Sequence, residues 1–469
     1  MNLWPNFKKI LKNSVITGVP QIVATKNNFR KILKTYVFFV CVTGFFWQTF
    51  TFLSVYWTYP TVVDVQYYFP DDFDLPAVTF CSSNGIKSSM FCQRFSHLCY
   101  PNSSLEEFCT NHLLLCDPNN NFPENVSFPT VAARELPLLS RREYQKMGLQ
   151  PQEMVTGCVV YESPRVTDCT LSYEVVNVFD TKGLPTNCYS YNSLWGKVEG
   201  ARQIKTKTVL LFTMKSERYQ TNQFYTGTPY AIQVAIHSPY MLINPFMNGF
   251  SIKPCSNYYI FPTMQKNVLL PPPYTSSCYN YTATWIERSG RGPRNKRLCS
   301  EECYLNKSLE KAGCVDPFFV TYPNMERICK EEAHFSIYDE CRNQCRPACE
   351  REDFSADVQE HAFLRSKPRG KEKGNECVST IMISFNRMEI VQYTYSPKYE
   401  SVSLFSYVGG YLGLWLGISL VAICDAIETL LLLLQWLWEK IRRHIKNRRL
   451  VNVKPNRKTN NVQGQLFIL

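Results

Sequence analysis

Two long apolar segments, each flanked on one side by basic residues, constrain this 469-residue chain more than any other feature. The first, residues 36–57, contains no charge, and the second, residues 401–438, is interrupted only by Asp425 and Glu428. A helix of about 20 apolar residues crosses the roughly 30 Å hydrocarbon core of a bilayer. The sequence therefore predicts transmembrane helices at 36–58 and 401–438. A signal peptide is the alternative for the first, but its late start and the lack of a small-x-small cleavage site argue against it.

The distribution of charge predicts the orientation in the membrane. Residues 1–35 carry seven Lys/Arg and no acid, and residues 439–469 carry nine Lys/Arg against one Glu. The positive-inside rule makes both segments cytoplasmic, so residues 59–400 lie outside the cell and the protein is a multi-pass plasma-membrane protein. The two ends together carry a charge of +15, and the whole chain carries +12, so residues 36–438 carry −3. A central region without excess positive charge argues against binding to nucleic acid.

The region between the two segments has the features of an extracellular domain. It holds eighteen of the twenty cysteines, from Cys81 to Cys377, and no C-x-x-C pair that would favour zinc. All four N-glycosylation sequons also lie there, at Asn102, Asn125, Asn280 and Asn306. We expect a disulfide-rich, glycosylated domain.

Apolar patterning predicts an α+β fold for this domain. Alternating stretches at 209–214, 230–236 and 379–385 are typical of strands, and a helix is expected from Ser300 to Lys311. Cys-dense insertions lie between them. The basic run 291–297 reads as a solvated loop, with cleavage at Arg294-x-x-Arg297 as the alternative.

No motif of an enzyme or of a metal or cofactor site is found, so we expect neither catalysis nor a bound cofactor. The chemistry of the sequence lies in the second apolar segment instead. Its glycines permit close helix packing or a break in the helix. Asp425 and Glu428 are three residues apart, hence on one helical face, and carboxylates at membrane depth indicate an ion path. The alternative is that they mark the end of an oblique helix.

Four short motifs follow one another along this sequence. They are LPAVTFC with Asn84, the run CYSYN that starts at Cys188, PPPYTSSC from Pro271, and the tripeptide Gly417-Ile418-Ser419 preceded by GGYLGLW. In this order they resemble landmarks of the epithelial sodium channel, degenerin and acid-sensing channel family, in which the last motif is similar to the pore segment and the third precedes the thumb. The resemblance covers nearly the whole chain and suggests an invertebrate member.

The resemblance implies two transmembrane helices flanking a large domain with a β-sheet palm and helical finger and thumb insertions, the thumb at about 275–350. It implies a homo- or hetero-trimer in the lipid bilayer that conducts Na⁺ as the permeant ion, in response to an extracellular ligand or another stimulus. Three sets of residues receive roles: Gly417, Ile418 and Ser419 form the selectivity filter; Asp425 and Glu428 form carboxylate rings; and Ser406 stands at the degenerin position of the gate. Thr17-Gly18 stands where the family has its His-Gly gating pair, and Tyr407 replaces an aspartate of acid-sensing members, which argues against proton activation.

A disulfide pairing is also implied by the resemblance, since eight thumb cysteines allow 105 pairings and spacing alone cannot choose. The implied ladder is Cys278–Cys349, Cys299–Cys345, Cys303–Cys341 and Cys314–Cys329.

Two other classes of protein share parts of this layout. An ATP-gated trimeric channel also has two spans and a disulfide-rich exterior, but no cluster of basic residues for a triphosphate is evident beside the spans. A non-conducting two-span receptor would leave the carboxylates of the second span unexplained.

Overall fold

The computed structural model describes residues 18–99, 128–131, 136, 141–169, 174–217, 230–314, 329, 335–362 and 376–419, and residues 427, 430, 431, 434, 435, 438, 441 and 442. The chain divides into two compact units. One combines residues 1–60 with 397–469, and the other comprises residues 61–396.

The first unit is helical in its described residues. Helix α1 covers Gly18–Ala24, and helix α2 covers Asn28–Tyr56, whose first turn is capped by the Asn27 side chain accepting the Phe29 N–H at 3.0 Å. Helix α2 therefore begins before the predicted span at residue 36 and includes three basic residues. In the described part of the chain, it is the one helix long and apolar enough to cross a membrane.

The predicted second span, 401–438, is not one continuous helix. The helix at the start of this segment, Ser401–Leu416, has 16 residues and ends at Gly417, whose φ of +62° lies in the left-handed region that favours glycine. Gly417 N–H donates to the Gly413 carbonyl at 3.1 Å, as expected of a helix C-terminus. Residues 417–419 are non-helical, while the isolated described residues from 427 to 442 are helical.

The second unit is built around β-sheets. Its largest sheet has the order β1-β15-β12-β14-β9-β4-β5, with β13 also paired to β12; a five-stranded sheet has the order β11-β10-β3-β7-β6; and β2 pairs with β8. The fifteen strands of the described residues are β1 Thr61–Tyr68, β2 Asp72–Asp74, β3 Ala77–Ser82, β4 Val155–Glu162, β5 Arg165–Asp168, β6 Glu174–Phe179, β7 Pro185–Tyr191, β8 Gln203–Lys205, β9 Val209–Glu217, β10 Ile232–His237, β11 Phe250–Ile252, β12 Ser256–Val268, β13 Glu350–Ala362, β14 Glu376–Ser384 and β15 Ile390–Pro397.

Helices of this unit lie between these strands in the chain. The described ones are α3 Ser88–Arg94, α4 Arg141–Met147, α5 Pro151–Met154, α6 Pro245–Asn248, α7 Tyr281–Glu287, α8 Lys296–Ala312 and α9 Phe335–Gln344, so that the helix Ser401–Leu416 of the first unit is α10.

The three predicted strands are confirmed as β9, β10 and β14. In β9, Leu210, Phe212 and Met214 are fully buried, which is the period-2 pattern of a strand with one face on a core. Strand β14 pairs antiparallel with β9, and its Ile381 and Ile383 join the same core. Alternation in the sequence therefore placed the centre of the large sheet.

Two of the sequence landmarks meet in the five-stranded sheet although they lie about 110 residues apart. Strands β3 and β7 pair antiparallel with Cys81 opposite Cys188, and these two cysteines form a disulfide. The Asn192 side-chain amide donates to the Leu75 carbonyl at 2.7 Å and closes the end of this pair. The landmarks are thus the two halves of one buried structural element.

Helix α8 begins four residues before the position predicted from Ser300. Its N-cap is Asn295, whose side chain accepts the Leu298 N–H at 2.8 Å, and Gly313 at φ +65° ends it. Ser300 is buried within the helix, and its hydroxyl donates to the Lys296 carbonyl. The sequence pattern points to Ser300 as the N-cap because the true N-cap, Asn295, stands inside the basic run and not directly before an apolar stretch.

Helices α8 and α9 form an antiparallel pair held by disulfides. The structure contains Cys278–Cys349, Cys299–Cys345, Cys303–Cys341 and Cys314–Cys329, the four pairs that the resemblance implies. Three more bridges in the described residues are Cys81–Cys188, Cys92–Cys99 and Cys158–Cys169. In the chain-entropy model, each bridge that closes tens of residues contributes about 3–4 kcal/mol to the free energy of unfolding.

The basic run 291–297 packs against neighbouring segments of the second unit, so its interpretation as a solvated loop is wrong. The Arg294 guanidinium lies 4.9 Å from the Tyr240 ring centroid and 4.8 Å from that of Trp285. Arg297 lies within helix α8 and donates to the Asn248 side chain at 2.9 Å. A processing protease needs an extended, accessible segment, so we expect the folded chain to resist cleavage here.

Replacing Arg294 with alanine should lower the stability of the fold, because it removes the cation–π contacts with Tyr240 and Trp285. A desolvated cation–π contact stabilises a fold by up to about 2 kcal/mol, so Arg294→Ala should lower the thermal unfolding midpoint of the full chain by about 2–4 °C. The matched control is Lys311→Ala, which removes an exposed cation from the last turn of α8. Equal midpoints for the two variants would contradict a stabilising role of the stacked guanidinium.

Candidate functional site

Helices α2 and α10 of the first unit pack through side chains spaced four residues apart on each helix. The Trp415 indole N–H donates to the Gln48 side-chain oxygen at 2.7 Å, and the Tyr407 ring lies 4.7 Å from the Phe52 ring. A Cβ added at Gly44 would come within 2.9 Å of the Trp415 ring, so only glycine leaves room for this indole. The pairing fixes the rotation of α10 about its axis.

The opposite face of α10 consists of small residues. Ser406, Gly409, Gly410 and Gly413 are spaced by three or four residues, whereas the face packed on α2 lies about 140° around the helix. Ser406 is exposed, and its hydroxyl donates to the Val402 carbonyl at 3.0 Å. A Cβ added at Gly409 or Gly410 would meet no atom of the described residues within 4 Å. Within the described part of one chain, this face of small residues, called the smooth face below, is therefore uncovered.

The small-residue face leads directly to the break in the helix. Gly417 lies seven residues after Gly410, on the same side of the helix, and from there to Ser419 the backbone is non-helical. A break of this kind at membrane depth is tolerated only where the backbone is buried in protein or lines a water-filled cavity. The structure thus places the predicted filter tripeptide at the end of the smooth face.

One residue of the predicted gating segment and one of the predicted filter line the same cavity of this unit. Gly18 and Gly417 both line a cavity of about 300 Å³, together with Lys34, Cys41 and Trp415. Cys41 is the free cysteine of the described residues. Thr17 and the carboxylates Asp425 and Glu428 lie outside the described residues.

The chain matches one family model over residues 10–429, which is described as that of the amiloride-sensitive sodium channel. The chain belongs to the amiloride-sensitive sodium channel family. Its relatives in this family include the human bile acid-sensitive ion channel, which is 21% identical over 90% of this chain and 84% of its own length. The chimpanzee epithelial sodium channel subunit gamma is 20% identical over 90% of this chain and 80% of its own.

A solved structure of a proton-activated chloride channel covers 87% of this chain and 99% of its own, at 9% identity and a TM-score of 0.31. The family assignment rests on the family model.

Some contacts of this family member could not be found from sequence motifs. Gln48 and Gly44 lie in the first apolar segment, where they read as ordinary membrane residues, and their role depends on Trp415 more than 360 residues later. The only sequence signal was a polar amide inside a charge-free span, which indicates a hydrogen-bond partner.

Two of the four predicted glycosylation sites can be placed in this family member. Asn280 and Asn306 are exposed, whereas Asn102 and Asn125 lie outside the described residues. Asn280 also caps helix α7, because its side-chain oxygen accepts the Thr282 N–H at 3.0 Å. Only this oxygen makes the cap, so the amide nitrogen stays available for a glycan.

Proposed function

We propose that the chain is a subunit of a trimeric, sodium-selective channel of the plasma membrane, with both termini in the cytoplasm. The observation that carries the proposal is the smooth face of α10, which is uncovered in one chain and ends in a glycine-serine break. Three such faces around one axis would enclose a narrow path. Backbone and hydroxyl oxygens at residues 417–419 would there replace water around a small hard cation.

The exposed small side chains support an oligomer rather than a lone anchor. A helix that only anchors a domain needs no glycines at 409, 410 and 413, since lipid accommodates large apolar residues. Large apolar side chains are exposed on helix α2, where Phe39, Phe46 and Phe50 are each more than 60% exposed, whereas on α10 the exposed Phe405 and Leu414 flank the smooth face. We therefore assign α2 to the lipid side and α10 to the pore side of each subunit.

The extracellular unit offers a route for the gating stimulus. Strand β12 enters the disulfide-bridged α8–α9 pair and β13 leaves it, and the Cys278–Cys349 bridge closes the base. Strand β1 directly follows α2 in the chain, and strand β15 directly precedes α10. The two strands are neighbours in the same sheet. A rigid helix pair on this sheet would transmit motion to the helices of the membrane.

Recording from oocytes that express the chain tests the proposal. We expect an inward current in sodium that disappears when a large organic cation replaces sodium, that is smaller in potassium, and that is unchanged by replacement of chloride. Amiloride, which names the family, should block it. A current whose reversal potential shifts when chloride is replaced would contradict the proposal. The absence of any current, both when the chain is expressed alone and when it is expressed with related subunits, would also contradict it.

The carboxylates Asp425 and Glu428 should concentrate cations at the inner end of the path. Because salt screens charges over about 10 Å at 0.1 M and 30 Å at 0.01 M, Asp425→Asn with Glu428→Gln should lower the single-channel conductance most at low salt. Glu439→Gln, which lies beyond the span, is the matched control. Equal conductance of the double variant and the parent at low salt would show that the two carboxylates lie away from the path.

A further inference from the structure

A cavity of the second unit has a volume of about 880 Å³. Its walls come from the start of helix α8, from helix α9, from strands β12, β13 and β15, and from the loop that follows β10. Pockets that hold organic ligands measure about 300–1,000 Å³, so the cavity is large enough for a ligand of several rings. We call it the basic cavity after the four cations that line it, which are Lys296, Arg297, Arg342 and Arg351.

Two of these cations have no carboxylate partner among the described residues. Arg351 pairs with Asp353 at 2.6 Å, and Arg297 lies 3.8 Å from Glu301. By contrast, neither Lys296 nor Arg342 forms an ion pair or a side-chain hydrogen bond within the part of the chain that the structure describes. Unpaired cations at a cavity wall attract an anionic group, and a guanidinium can bind it through two parallel hydrogen bonds.

The acidic and titratable groups of the cavity do not cancel this charge. Asp353 is engaged by Arg351, and burial raises the pKa of Glu352, which also faces Lys266 and Arg294. His237 is fully buried, and burial lowers its pKa to about 4, so it is neutral at physiological pH. Its two ring nitrogens are occupied by the Thr79 hydroxyl at 2.7 Å and the Ser238 carbonyl at 2.9 Å. Four cations line the cavity against the two carboxylates Glu352 and Asp353, so its net charge is positive even when both carboxylates are ionised.

The rest of the lining is mixed. Its hydrophobic residues are Ile236, Met241, Leu242, Ile243, Leu269 and Phe354, and its polar residues include Asn248, Gln265, Asn267 and Tyr395. Of the hydrophobic residues, Met241, Ile243, Leu269 and Phe354 are partly exposed and form the apolar wall. An inorganic anion would leave this surface in contact with water, whereas an apolar skeleton would cover it, at about 25 cal/mol per Å² buried. The wall therefore favours an organic ligand over a simple ion.

We infer that the basic cavity binds an amphipathic organic anion, with its carboxylate or sulfonate at Lys296 and Arg342 and its apolar skeleton against Met241, Ile243 and Leu269 of the apolar wall. The inference goes beyond the proposed conductance and does not depend on it, since binding can be measured on a closed channel. Tyr395 of β15 also lines the cavity, so a bound ligand would contact both the α8–α9 pair and the strand that precedes α10 in the chain.

The experiment is a fluorescence titration of the full chain in lipid nanodiscs with anilinonaphthalene sulfonate, with empty nanodiscs subtracted. We expect saturable binding to the parent protein, and at least tenfold weaker affinity for the double variant Lys296→Gln with Arg342→Gln. Lys311→Gln, an exposed cation on the same helix outside the cavity, should bind as the parent does. Ile243→Trp, which fills the apolar wall and keeps every charge, should also abolish the saturable phase.

Two further measurements on the unmutated protein remove any dependence on how the variants fold. Phenylnaphthylamine, which has the same rings without the sulfonate, should bind at least tenfold more weakly, and added salt should weaken only the binding of the sulfonate. Equal affinity for the two probes, or parent-like affinity in the double variant, would overturn the inference. Binding of inorganic sulfate as tight as that of the aromatic sulfonate would overturn the role of the apolar wall.

Discussion

Replacing Ser419 with phenylalanine should abolish the sodium current while leaving the number of channels at the surface unchanged. Ser419 is the last described residue of the non-helical stretch that follows α10, and three copies of it would meet at the narrowest ring of the proposed trimer. A side chain larger by about six carbons cannot be accommodated there without closing the path or displacing the backbone. Macroscopic current and surface biotinylation, measured on the same cells, separate loss of conduction from loss of delivery.

The matched control for this prediction is Ser419→Ala, which keeps the size of the side chain and removes the hydroxyl. We expect Ser419→Ala to conduct, with a changed ratio of sodium to potassium permeability if the hydroxyl contacts the ion. A parent-like current through Ser419→Phe would remove residues 417–419 from the conduction path.

Enlarging Ser406 should hold the channel open. Ser406 is exposed on the smooth face of α10, eleven residues before Gly417, or about three helical turns. A closed state in which three such faces touch has room only for small side chains, so a large one raises the free energy of the closed state more than that of the open state. Shifting a channel from 1% to 99% open needs about 5.5 kcal/mol, which is within reach of severe overpacking.

The cleanest form of this experiment is Ser406→Cys, recorded before and after a bulky, positively charged thiol reagent is applied from outside. Current should rise to a steady level after modification and should not decline when the stimulus is withdrawn. Phe405→Cys is the matched control, because Phe405 is exposed on the same helix about 100° around its axis from Ser406 and so lies off the smooth face. Normal closing of the modified Ser406→Cys channel would refute the assignment of the gate.

The sequence predicted those parts of the fold that depend on local patterning. Alternation located β9 and β14, because every second residue must enter the core, and a charge-free run located the apolar part of α2, because a charge in hydrocarbon is costly. Patterning did less well at boundaries. Helix α8 was placed four residues late, since Ser300 looked like a cap and the true cap, Asn295, lay within a basic run.

The remaining errors arose where a property depends on distant parts of the chain. Arg294 looked solvated because its neighbours in sequence are basic, yet its aromatic partner Tyr240 comes from 54 residues earlier. The basic cavity was not predicted for the same reason, since its cations stand on α8, α9 and β13 and come together only in the fold. The thumb disulfides, by contrast, came from resemblance, because spacing leaves all 105 pairings open.

The most direct test of the central claim, that residues 417–419 line a cation path, is the accessibility of a cysteine placed at Ser419. In the background of the channel held open at Ser406 by a large substituted residue, Ser419→Cys should be blocked irreversibly by a small, positively charged thiol reagent. The control is the channel held open at Ser406 that keeps serine at position 419; it retains Cys41 and should not be blocked. The account predicts that the block is slowed by high sodium, which competes for the same ring. A Ser419→Cys current that stays unchanged under the reagent, in channels that conduct normally, would contradict it.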